Sequence, residues 1–392
     1  MRGKGLKLGE IHGIEIRLDL SVAIIFFLVV YSLGAGLFPQ WHADWTPGLS
    51  WAMALAAALL FFASLLAHEL AHSIIAQRHG IAVPRITLFV FGGVSELGSE
   101  PRTPSMEFSI AIVGPLTSLA LGLLFSILGL DLAGAGFLDE LQADPEAAMA
   151  SLGPVATLLM WLGPVNLMLA IFNLVPGFPL DGGRVLRAAL WWLGGDLRRA
   201  TERASQVGSA FAWALMAWGA WQALGGALIQ GLWLLLIGWF LNNAARASYL
   251  QLLLAQAMES LEVADLMRTR FESIQADAPL QDFIDEKLLR SDQVAWPVLE
   301  GGHPVGLIGL DSIRARLKEK AQPRTVAEAM GGIHESVSPH LRGREALRLL
   351  LESRRDPIPV LEAGRLVGLL YHADLMRWLA LHEIETRQRI HF

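Results

Sequence analysis

The chain of 392 residues has no cysteine. This excludes a disulfide framework, a thiol nucleophile and any zinc site with sulfur ligands, and leaves His, Asp and Glu as candidate metal donors. Charge is also scarce. Asp, Glu, Lys and Arg make up 17% of the residues, against about 25% in ordinary soluble domains. The net charge of -6 offers phosphates no global attraction, so no nucleic-acid partner is expected. What is abundant is apolar: 53% of the residues are hydrophobic and the mean hydropathy is +0.44. Much of the chain is built to sit in lipid, which excludes an ordinary cytosolic enzyme and a disordered protein.

The long apolar runs end near residue 250. Composition therefore predicts a transmembrane domain over 1–250 and a cytoplasmic, Asp/Glu/Arg-rich domain over 251–392. The first 17 residues are basic without an apolar core, unlike a cleaved signal peptide. Six stretches approach the roughly 20 apolar residues that a span requires: 19–38, 51–76, 106–130, 152–174, 207–223 and 228–243. If the last two formed one broken helix there would be five spans, with the chain ends on opposite sides. Arg and Lys recur before the first stretch, between the second and third, between the fourth and fifth, and after the sixth. The loops 39–50 and 131–150 have neither. The positive-inside rule then predicts a multi-pass protein of the plasma membrane with both ends in the cytoplasm.

Inside the second stretch lies His68-Glu69-Leu70-Ala71-His72. Side chains four apart on a helix point the same way, so both imidazoles can reach one metal, with Glu69 beside them able to take a proton from water. Ionisable groups in a span are costly unless they face protein, water or metal. The plainer alternative is that they are simply emerging at the headgroups. A catalytic zinc needs a third protein ligand and an open position. Asp181 is the best candidate. It follows Asn173-Leu-Val-Pro-Gly-Phe-Pro-Leu, where prolines and a glycine break the fourth stretch, and is itself followed by two glycines. Irregular backbone at membrane depth is tolerated where it lines a cavity or is buried in protein. The alternative for Asp181 is an N-cap of a helix beginning near Gly182.

The two motifs together resemble the site-2 protease family of intramembrane zinc metalloproteases, in particular its branch with C-terminal cystathionine-β-synthase (CBS) domains. The resemblance implies Zn2+ held by His68, His72 and Asp181, with Glu69 as general base and then general acid. It implies that Asn173 positions substrate or steadies the oxyanion, and that spans two, three and four form the core. It also implies a membrane-protein substrate whose transmembrane segment can unwind in the bilayer. Val113-Gly114-Pro115 fits a small-residue element of relatives, or a bare helix kink. Residues 84–96 are too short to span and read as strands around Gly92-Gly93, a small membrane-edge sheet able to hold an unwound segment by β-addition. A merely structural hairpin is the alternative.

The tail repeats itself. Val263-Ala-Asp-Leu-Met recurs as Val326-Ala-Glu-Ala-Met, and Trp296-Pro-Val-Leu-Glu as Ile358-Pro-Val-Leu-Glu. Two α/β units, about 259–320 and 322–385, resemble a CBS pair. The resemblance implies ATP or AMP in the clefts and a homodimer through the tail. The acid expected on the ribose is present as Asp374, three residues after Tyr371. In the first unit Gly309 and Ser312 take those places and Asp311 lies one position early. A structural or dimerising module is the competing reading. For the whole chain the competing class is a CBS-gated transporter or channel using the same polar residues as an ion site.

Overall fold

The computed structural model describes residues 5–90, 92–318, 322–333, 335–353 and 356–389. The chain forms two compact units, Met1–Tyr249 and Leu250–Phe392, taken here in turn.

The first unit opens with an unexpected hairpin. β1 (Gly5–Ile11) and β2 (Ile14–Asp19) pair antiparallel across His12 and Gly13, both at positive φ. The basic flank is thus structured, because Ile14 and Ile16 alternate onto a buried face. α1 (Val22–Trp41) follows, with a π-helical stretch at Ser32–Leu37, and then α2 (Pro47–Arg78). β2 pairs in parallel with β3 (Arg85–Phe89), and β3 antiparallel with β4 (Gly92–Glu96), so the sheet runs β1-β2-β3-β4. β4 ends that order and, among the described residues, pairs with no further strand. Ile14, Ile86 and Leu88 of the sheet pack on Leu65 and Ala76 of α2 and on Ile110 of α3 (Pro104–Ala133).

Local chemistry starts the long helices. Thr46 and Thr103 accept from the amides of Leu49 and Met106, and Pro47 and Pro104 take the first helical position, where no N–H is needed. α4 (Pro154–Asn173) runs along α3, with Gly122, Ser126 and Gly163 at the seam, the small residues that let helices approach closely in lipid. After an irregular strap over 174–180 come α5 (Asp181–Gly194), α6 (Leu197–Leu224) and α7 (Leu228–Ser260).

Among the described residues, five helices are long and apolar enough to cross a membrane: α1, α2, α3, α4 and α7. The expected span at 207–223 is the second half of α6, whose opening turns hold Arg198, Arg199, Glu202 and Arg203.

In the second unit, the two repeats exchange parts. β6 (Ala295–Glu300) and β7 (His303–Gly309) form the first hairpin, flanked by β5 (Ile274–Gln275) and β8 (Gly331–Gly332). β9 (Ile358–Glu362) and β10 (Arg365–Leu370) form the second. β8, which follows the second repeat's opening helix, pairs with β7 of the first. In return Arg268, which follows the first repeat's opening helix, bridges Leu369 of β10. The cores follow suit. Val326 and Ala329 pack with Trp296, Val298 and Ile308, whereas Leu261 and Val263 pack with Ile358, Val360 and Leu370. Each repeat thus closes the other's sheet.

Val326→Asp would bury an unpaired charge against the first hairpin. Hydrogen exchange is expected to lose more protection in β6 and β7 than in β9 and β10, although Val326 belongs to the second repeat.

Candidate metal centre

His68 and His72 lie one turn apart near the end of α2, and both are buried. The Nδ1 atom of His72 donates to the Ile110 carbonyl of α3 at 2.6 Å, and Nδ1 of His68 meets Ser118 Oγ at 2.9 Å. The Ile110 carbonyl can only accept, so His72 carries its proton on Nδ1 and turns the Nε2 lone pair to the cluster; a proton on Nδ1 of His68, given to Ser118, frees its Nε2 in the same way, as is usual for metal-binding histidines. These Nε2 atoms are 3.2 Å apart.

Asp181 completes the cluster. Its Oδ2 lies 3.1 Å from each Nε2. α5 begins at Asp181 itself; Leu180 is the N-cap residue, and no side chain caps the helix. The carboxylate therefore faces the imidazoles instead of serving the N-cap role. It is delivered by the strap, on which α5 packs so closely that a Cβ on Gly183 would lie 2.3 Å from the Phe178 amide nitrogen.

The donor set fits zinc. Ligands at about 2.0–2.1 Å in a tetrahedron stand roughly 3.3 Å from one another, close to the separations here. Two histidines and one carboxylate make three ligands and leave a position for water or substrate. His68, His72 and Asp181 are also the cluster of potential metal donors found among the described residues.

Glu69 is held by the sheet. Ser95 Oγ of β4 donates to Glu69 Oε2 at 3.0 Å, and Ser73 Oγ donates to Ser95 Oγ at 3.1 Å. Gly93 of β4 lies against the glutamate, where a Cβ would meet Glu69 Cγ at 2.3 Å. The edge strand and the carboxylate thus form one contact surface.

The family model for Peptidase family M50 matches residues 56–215, and the CBS domain model matches 263–319 and 334–381. Several curated relatives bear the name "Putative zinc metalloprotease". Rip3 of Mycobacterium tuberculosis is 34% identical over 97% of this chain and 94% of its own length. The chain belongs to peptidase family M50. Another of these relatives, sll0528 of Synechocystis, is 32% identical over 95% of each chain. Among solved structures, the site-2 protease from Methanocaldococcus jannaschii is 27% identical, covers 62% of this chain and 95% of that one, and has a TM-score of 0.41.

Membership of M50 favours the metalloprotease over the channel. Other residues of this M50 chain lie as follows. The Nδ2 of Asn173 donates to the Leu169 carbonyl of its own helix at 3.0 Å, so its amide is tied back on α4 and not joined to the histidine cluster. Gly114, expected only as part of a small-residue element or kink, faces both imidazoles: a Cβ there would lie 2.1 Å from His72 Nε2 and 2.7 Å from His68 Nε2. Ser118, Ile110, Ser73 and Ser95 were not visible as site residues. Ile110 contributes a backbone carbonyl, which any residue type supplies.

In the tail, Asp374 is engaged. Arg268 donates to it through Nε at 2.6 Å and Nη2 at 2.8 Å, with its guanidinium 4.4 Å from the Tyr371 ring centroid. Burial raises the Tyr371 pKa above the ordinary phenol value, so the ring is neutral at physiological pH. Ser312 Oγ is used locally, accepting from the Gly309 amide and donating to the Gly309 carbonyl.

Gly114→Ala puts a methyl group into the space of the ligand atoms. The variant is expected to retain at least 10-fold less zinc than the wild type after dialysis against a weak chelator, measured by elemental analysis. Full zinc content would contradict the packing described.

Proposed function

We propose that this chain is an intramembrane zinc metalloprotease that hydrolyses peptide bonds in or beside transmembrane segments of membrane-protein substrates. The observation that carries the reading is the convergence of His68, His72 and Asp181 next to Glu69, in a chain of a peptidase family. Zinc, when bound, polarises the scissile carbonyl and acidifies a water.

The chain's own residues do the rest. Ser95 occupies Glu69 Oε2 and leaves Oε1 for the water, from which Glu69 takes a proton. Glu69 then returns that proton to the leaving amine as general acid. A helical substrate hides its peptide bonds, so the segment to be cut must unwind. The free edge of β4 offers main-chain groups to which an extended segment can add as a fifth strand. Ser95 then lies on the strand that receives substrate while its hydroxyl holds the base. Asn173, by resemblance to the family, steadies substrate or the oxyanion once its amide leaves Leu169.

The reading extends to a protein of the plasma membrane with α6 as a sixth span and both ends cytoplasmic, supported by the distribution of Arg and Lys. The CBS pair is its regulatory part, taking ATP or AMP at Asp374 and joining two copies of the chain. In that role Arg268 releases Asp374 to the ribose and turns to the phosphates.

The decisive pair of variants is Glu69→Gln and Asp181→Ala, in a purified protein given a model membrane substrate. Glu69→Gln is expected to bind zinc as the wild type does and to lose turnover by roughly 10²–10⁴-fold. Asp181→Ala is expected to bind zinc more weakly. A Glu69→Gln protein that cleaves at the normal rate would refute the base assignment.

For the tail, calorimetric titration with ATP and AMP is expected to give binding that Asp374→Ala removes. An absence of both heat and thermal shift would leave the CBS pair a structural module.

A further inference from the structure

A buried ion pair ties the helix that orients the imidazoles to the helix that brings the carboxylate, and neither member is itself one of the candidate metal donors. Glu107, in the first turn of α3, is fully buried, and Arg187 of α5 is buried too. Arg187 Nε donates to Glu107 Oε1 at 2.5 Å, and Arg187 Nη2 meets the same oxygen. The Nη2 atom also lies 3.5 Å from Glu100 Oε2. The guanidinium covers the Phe178 ring, 5.2 Å from its centroid.

Stability alone is a poor reason for such a pair. Removing two charges from water costs about as much as their attraction returns, and well-packed apolar residues often serve as well or better. This pair is also incompletely satisfied, since Glu107 Oε2 has no hydrogen-bond partner among the described residues.

Its placement supplies another reason. Glu107 precedes Ile110 by three residues, so the two share a face of α3, and the Ile110 carbonyl fixes the tautomer and orientation of His72. Farther along α3, Ser118 holds the orientation of the His68 ring through Nδ1. Arg187 belongs to the helix that begins with Asp181, and it covers Phe178 in the strap that delivers that residue. One end of the pair thus stands on the helix that orients the imidazoles. The other stands on the helix that brings the carboxylate.

We infer that Glu107 and Arg187 are positioning residues of the metal centre, setting the approach of Asp181 to His68 and His72 and through it the affinity for zinc. This rests on the reading of the cluster as a zinc site. The planar guanidinium suits the role because two of its nitrogens grip one carboxylate in a fixed orientation, which a lysine ammonium cannot reproduce.

The test uses full-length protein carrying Arg187→Lys, or the apolar double replacement Glu107→Leu with Arg187→Met. Zinc affinity is read by competition with a chromophoric chelator, and fold by the thermal midpoint of the metal-free protein. The double variant, which buries no charge, is expected to unfold at or above the wild-type midpoint yet to bind zinc at least 10-fold more weakly. Arg187→Lys, which keeps the charge, is expected to weaken zinc several-fold and leave the substrate KM unchanged. A folded double variant with wild-type zinc affinity overturns the inference. If the double variant does not fold, wild-type affinity in Arg187→Lys overturns it. A wild-type protein that takes up no zinc would instead refute the metal centre itself.

Discussion

Two imidazole nitrogens and one carboxylate oxygen meet within 3.2 Å of one another in the interior of a helical protein, with both imidazole Nδ1 atoms engaged elsewhere. Lone pairs aimed at one another in a buried setting repel unless a cation or a shared proton lies between them, so the surrounding elements have to hold the three groups in place. Much of the first unit can be understood as the means of doing so. One helix supplies two donors by its own periodicity, and a second supplies their hydrogen-bond partners. A broken chain returns the third donor from the far side.

The proposed general base is governed by a different element. Glu69 shares a helix with the histidines, but its carboxylate is held by a serine on the last strand of the sheet, and a glycine of that strand leaves room for its stem. In the proposed mechanism, substrate would join the strand that orients the proton acceptor. Binding and chemistry would then be coupled through a single contact, with no long-range conformational change.

Parts of this were legible in the residues and parts were not. The i, i+4 histidines and the acid behind a Pro/Gly-rich break are local patterns, and local patterns survive in a sequence. The partners of the histidines do not: Ser118 is 50 residues from His68, and Ile110 acts through a carbonyl. Glu107 and Arg187, 80 residues apart, are two ordinary charges until the fold joins them. The hairpin at the N-terminus did leave a signal, in the alternation of Ile14, Ile16 and Leu18 after Gly13, but its basic residues suggested a membrane flank. The apolar stretch at 207–223 is part of a longer helix whose opening turns are charged, so a boundary read from hydropathy alone missed the helix's true start. In the tail, the repeat offset disclosed two copies. Only the fold shows that each copy completes the other's sheet, because pairing partners are a tertiary property.

The central claim concerns which atoms surround the metal. X-ray absorption at the zinc edge of the metal-loaded full-length protein measures that shell directly. The account predicts two imidazole nitrogens and one or two oxygens at about 2.0–2.1 Å, with the multiple-scattering signature of two histidines. A shell of oxygens alone, or one containing a single imidazole, would contradict it.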